Sequence, residues 1–90
     1  MFPKFTKDPD EILDYQIDWE NWLDGDTISA SSWTLEDGIT EHINTTFTST
    51  TATLWVASGT LGTMYEATNH ITTVAGREKD QTIRISIIQK

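Results

Sequence analysis

The residues of this chain whose types could do chemistry are two histidines and fourteen carboxylates. Neither His42 nor His70 has another His, or any Cys, at the short spacing that pairs zinc ligands, so both read as surface residues. Asp24-Gly25-Asp26 resembles part of a calcium loop, but the remaining oxygen ligands and the terminal Glu of such a loop are missing. General acid/base work needs two carboxyl groups whose surroundings push their pKa values apart within a cleft. Here the carboxylates alternate along the polar side of a strand or sit in turns. Ser58-Gly59-Thr60-Leu61-Gly62 lacks the Lys that a phosphate-binding loop carries after its second Gly, and reads as a turn. Asn44-Thr45-Thr46 fits a glycosylation acceptor, but no secretory signal accompanies it. The expectation is a protein with no catalytic residue, no cofactor and no metal ion: not an enzyme.

The elements that would position such residues must be few. At 90 residues the chain makes one domain, with too little interior for both a core and a roomy enclosed pocket. Apolar residues make up 37%, below the usual share, yet four Trp, three Phe and two Tyr supply large surfaces to bury. With no Cys, stability must come from packing alone. A formal charge of −8 repels phosphate backbones and argues against nucleic acid as a partner. The start, Met1-Phe2-Pro3-Lys4-Phe5-Thr6-Lys7-Asp8, lacks the apolar run and cleavage site of a signal peptide, and no stretch is apolar enough to span a bilayer. The chain is expected to stay in the cytoplasm where it is made, unless it leaves within a larger particle.

Charge is unevenly placed. Asp10, Glu11, Asp14, Asp18, Glu20 and Asp24 fall between Asp8 and Asp26 with no Lys or Arg among them, whereas Arg77, Lys79, Arg84 and Lys90 gather at the other end. The acidic run reads either as the wet face of a strand with its loops or as a docking patch for a basic surface.

Periodicity favours strands almost throughout. Leu13, Tyr15, Ile17 and Trp19 alternate with Asp14, Gln16 and Asp18, the period of two that turns one face to a core and the other to water. Glu20 to Leu23 is a short turn, and Asp24-Gly25-Asp26 has strong turn chemistry. In the second strand, Thr27 to Leu35, Ile28 and Ala30 share one parity while Trp33 and Leu35 share the other, which predicts a β-bulge near Ser31-Ser32. Ile39, Ile43 and Phe47 mark a weaker third strand within a polar stretch. Ala52, Leu54 and Val56 alternate with Trp55 in the next.

The last hairpin can be registered in detail. A three-residue loop, Val74-Ala75-Gly76, with Gly76 left-handed, sets Thr73 against Arg77. Tyr65 then meets Ile85 and Ala67 meets Ile83 on one face, while Glu66 meets Arg84, Thr68 meets Thr82 and His70 meets Asp80 on the other. A two-residue loop would put Tyr65 against Ser86 and lose that agreement. The whole predicts an all-β, immunoglobulin-like antiparallel β-sandwich of six to seven strands, with a small closed barrel as the alternative. Trp33 and Trp55 are expected to fill its core; Trp22, in a turn beside Asp24, reads first as a further core residue and alternatively as a half-exposed interface anchor.

Several pieces of this sequence resemble a family of small tailed-bacteriophage proteins described as fiber-tail adaptors. They are Lys7-Asp8-Pro9-Asp10, Leu13-Asp14-Tyr15, Asp18-Trp19, Trp22-Leu23, Gly25-Asp26-Thr27-Ile28 and Trp33-Thr34. Later come Leu54-Trp55-Val56, Ser58-Gly59-Thr60, Gly62-Thr63-Met64-Tyr65, Thr68-Asn69-His70-Ile71-Thr72-Thr73 and Gly76-Arg77. The polar stretch Glu41 to Thr50 departs from the pattern. The resemblance implies a virion component of immunoglobulin-like fold that joins tail and fibers, its partners being other virion proteins. A capsid decoration or cement protein is the rival within the same class. A carbohydrate or host-surface binding module is the rival outside it, with Trp22 beside Asp24 and Asp26 as its hint.

For an adaptor, contact elements are expected at the N-terminus and at a sheet edge. Residues 1–10 have two Phe and two Pro but no alternation, and read as an arm ordered only against a neighbour, ahead of a sandwich domain over 11–90. Phe2 and Phe5 would be its anchors, with Trp22, Asp24 and Asp26 as further partner-binding candidates. Copies in a ring would repeat each weak contact and gain avidity.

Overall fold

A computed structural model describes residues 4–43 and 45–89. The strands are β1 (Lys4–Lys7), β2 (Leu13–Asp18), β3 (Ile28–Leu35), β4 (Ile39–Glu41), β5 (Thr46–Phe47), β6 (Thr51–Ser58), β7 (Met64–Thr73) and β8 (Glu78–Ile87), with one helical turn, α1 (Glu20–Leu23). Two sheets form. The first has the order β1-β8-β7-β3; the second has β2-β6-β4, with β5 also paired to β6.

The alternation in β2 does what period two demands: Tyr15 is buried while Asp14, Gln16 and Asp18 are exposed. In β6, Ala52, Leu54 and Val56 are fully buried, and in the facing sheet Ala67, Ile71, Ile83 and Ile85 are too. Apolar layers from both sheets thus meet in one interior, the largest favourable term available to a domain of this size. The hairpin register is as expected, with Tyr65 opposite Ile85, Glu66 opposite Arg84, Thr68 opposite Thr82 and His70 opposite Asp80. Arg84 Nε donates to Glu66 at 3.1 Å, and the Thr68 and Thr82 hydroxyls lie 2.9 Å apart. Gly76 has φ +91°, and its N–H donates to the Thr73 carbonyl at 2.9 Å, closing the three-residue loop.

Four expectations are corrected. Lys4–Lys7 is not part of an arm: it is β1, the parallel edge strand beside β8, with Phe5 opposite Ile85 and Lys7 opposite Ile87. Phe5 packs its ring 5.0 Å from that of Tyr15, and Lys7 is wholly buried. Four residues without alternation become a strand because β8 supplies the ladder and the β2 edge supplies the apolar contact. The bulge in β3 lies between Ile28 and Ala30, ahead of Ser31-Ser32, so that Ser31, Trp33 and Leu35 all turn inward. The third strand is two short pieces, β4 and β5. Where the ladder breaks between them, the Thr45 hydroxyl takes over as acceptor for the Trp55 N–H at 3.0 Å.

The fourth correction is Trp55. It lies on the outer face of the second sheet, because Ala52, Leu54 and Val56 hold the inner one. Trp33 does face inward, half-buried against both apolar clusters. The indole that closes the far end of the core is Trp19, 4% exposed, whose Nε1 donates to Asn69 Oδ1 at 3.0 Å. Asn69 in turn donates to the Ser31 hydroxyl (2.9 Å) and the Ser32 carbonyl (3.0 Å). One buried amide therefore ties the end of β2 to β7 and β3, across the two sheets.

Candidate functional site

The turn that follows β2 begins at α1, whose C-cap, Asp24, takes the left-handed conformation (φ 49°) and donates its N–H to the Glu20 carbonyl. Left-handed geometry suits Gly and Asn or Asp, which explains Asp24-Gly25 here. The chain then reverses into β3 and brings Asp26 beside the β7–β8 loop.

Arg77, from that loop, is held there by four groups. Its Nε donates to Asp26 Oδ2 at 3.2 Å, its outer nitrogens donate to the Leu23 carbonyl at 2.6 Å and the Trp22 carbonyl at 3.5 Å, and its guanidinium carbon stands 4.4 Å over the Trp22 ring. Trp22 meets Trp19 edge-on at 5.6 Å. Asp26 also accepts from the Thr27 and Ala75 amides, at 2.8 and 3.3 Å. A hydrogen bond from Thr73, then these donors and Arg77, hold its carboxyl below the usual carboxylate range.

Among the sequence candidates, then, Trp22 and Asp26 are brought together, and what joins them is an arginine of the same chain. Asp24 stays apart, exposed at the turn. Phe5 faces the sandwich interior, and Phe2 lies outside the described residues. So does Asn44 of the glycosylation pattern. Among the described residues no group of three or more His, Asp or Glu side chains is gathered as a metal site.

The outer faces of the two sheets differ in chemistry. On the first, His70 bridges two carboxylates, Nδ1 to Asp80 at 2.6 Å and Nε2 to Glu78 at 2.8 Å. These two hydrogen bonds, Asp80's first, raise its pKa, since both ring nitrogens can donate only when the imidazole is protonated. On the second, Trp55 stands directly across from Asp14, and the His42 ring lies 6.5 Å from the indole on its other side. Sequence reasoning assigned Trp55 to the core. The signal that could have placed it outside was its own alternation with Ala52, Leu54 and Val56.

A family model described as the podophage GP4 fiber-tail adaptor protein gp77 matches residues 7–86. The chain belongs to this family. Membership carries a structural, tail-associated role, and the match spans every strand from β2 to β7. Among solved structures, the PKD domain from the KIAA 1837 protein superposes with a TM-score of 0.59 at 14% identity, covering 99% of this chain and 81% of that one. At that identity the likeness speaks for the fold alone, an immunoglobulin-like sandwich. No curated protein matches the chain.

Proposed function

We propose that this chain is a non-enzymatic virion protein that links the podophage tail to its fibers, working as several copies in a ring through protein–protein contacts. The observation that carries the reading is the family match over residues 7–86, which takes in most of the sandwich. The surface chemistry supports it. His70, Glu66, Glu78 and Asp80 are engaged in hydrogen-bonded pairs on the first sheet and Asp26 in an internal arginine clamp, as in a part that holds shape. A rigid sandwich with polar faces suits a spacer whose partners sit on its faces and ends. Repetition around a ring would multiply contacts that are individually weak.

The test is a phage in which this chain is not made. Particles with full tails but no attached fibers, restored when the chain is supplied in trans, are the expected outcome. Fiber-bearing, infectious particles lacking the chain would overturn the proposal.

A further inference from the structure

The chain has no Lys or Arg between Lys7 and Arg77. Every strand of the second sheet falls inside that interval, so β2, β4, β5 and β6 present carboxylates, hydroxyls and amides but no cation. Face-on, the centre of this sheet is the Asp14–Trp55 cross-strand pair, with Gln16 opposite Thr53 and Asp18 opposite Thr51 along the same two strands. Asp14 is exposed and Trp55 half-buried, and no ion pair to Asp14 forms among the described residues.

The same molecule shows a related pair at work. At the end of the sandwich Trp22 and Asp26 take a guanidinium by stacking at 4.4 Å and by a charged hydrogen bond of 3.2 Å, with the Leu23 and Trp22 carbonyls accepting from its outer nitrogens at 2.6 and 3.5 Å. We infer that Asp14 and Trp55 form an open socket of the same kind, which receives an arginine from a basic protein surface docked on the second sheet. Directly opposed side chains in an antiparallel pair have Cβ atoms about 5 Å apart, close enough for one guanidinium to stack on the indole and reach the carboxylate. Arginine fits better than lysine because its planar head stacks and forks at once. A face of one sign, with an aromatic at its centre, draws a cationic surface and gives it an anchor. That the occupant is a protein rests on the adaptor reading; the guanidinium chemistry rests on this face alone.

The experiment uses the whole chain, 15N-labelled, titrated with three short Gly/Ser-flanked peptides bearing a central Arg, Lys or citrulline. The Trp55 indole and the Asp14 and Trp55 amides should shift with the Arg peptide, less with Lys and least with citrulline, which keeps the shape without the charge. Trp55→Thr and Asp14→Asn should each weaken the Arg response by about three- to fivefold while the melting temperature changes little. Raising salt from about 0.05 to about 0.5 M should weaken it further. An Arg peptide that leaves the Trp55 indole unmoved, an equal response to citrulline, or a stronger response to a maltooligosaccharide than to any peptide would overturn the socket. Failure here leaves the adaptor reading to its own test, since fiber attachment is scored on particles and not on peptides.

Discussion

Asn69 is a polar residue at an inward position of a strand, fully buried, and it is there to satisfy an indole. Its carbonyl takes the Trp19 Nε1 proton, and its amide is in turn spent on Ser31 and Ser32. Replacing it by Leu fills the space but leaves a buried donor without an acceptor, at a cost of about 1–3 kcal/mol. Chemical denaturation of Asn69→Leu should show that loss, and an unchanged midpoint would mean that the pair contributes nothing. The two mid-strand tryptophans should separate in the same assay. Trp33→Ala should cost about 3 kcal/mol because Trp33 touches both apolar clusters, whereas Trp55→Thr should cost no more than about 1. The Trp33 Nε1 is itself buried with no protein partner among the described residues.

His70 gives the molecule a pH signature. Its folded pKa is raised above the ordinary 6.5 by Asp80 and Glu78. The stabilisation is therefore complete below that ordinary value and is lost as pH rises through the folded pKa. The difference in melting temperature between the native chain and His70→Gln should be widest below about pH 6 and should close on the alkaline side. A difference that is constant with pH would show that the bridge is not charged. Asp26 works in the opposite sense, its contribution being present above the ordinary carboxylate pKa and lost as pH falls through its lowered one.

At the scale of elements, the sequence was most legible where two constraints agreed. In the β7–β8 hairpin the Gly76 loop set the register and both faces then paired sensibly, so a local pattern was enough. β1 was illegible for the opposite reason. It is four residues long, with no alternation, and its parallel partner β8 lies at the far end of the chain. What fixes it shows only in three dimensions. The buried Lys7 ammonium donates to the carbonyls of Ser58 (2.6 Å), Asp8 (2.8 Å) and Pro9 (3.4 Å), and Tyr15 donates its hydroxyl proton to the Thr6 carbonyl (3.1 Å). Burial pushes the Lys7 pKa down, while Glu11, Asp8 and Asp10 nearby oppose the shift and favour the charge. Lys7→Met keeps the aliphatic stem but strips the donor from these carbonyls, and should destabilise by about 1–3 kcal/mol in a melt or denaturant titration. A neutral effect would show that β1 is held by its ladder alone. Tight turns add their own constraint at the same end: a Cβ on Gly38 would lie 2.6 Å from the Tyr65 ring, whose hydroxyl accepts from the Thr60 amide.

At the scale of the molecule, the candidate site was only half legible. Trp22 and Asp26 were singled out by composition, and they do converge, but a guanidinium from the same chain already occupies the place a partner would take. Asp14 and Trp55 each sat in plain alternation, but their pairing depends on how β2 aligns with β6, which no local pattern sets. The family resemblance was readable because it was spread in order along the chain, and the family match over residues 7–86 bears it out. The charge asymmetry was readable too, and the fold sharpens it: all cations fall on β1, β8, the β7–β8 loop or the C-terminal residue, and the second sheet has none. The sandwich therefore has two unlike faces, and the proposed linking role would set them against two unlike neighbours.

The most direct measurement of that claim is an electron cryo-microscopy reconstruction of the intact particle at a resolution that distinguishes this sandwich. The account predicts a small number of copies, arranged in a ring at the junction of tail and fibers, each touching both. Copies spread over the capsid surface, or none at the junction, would contradict it.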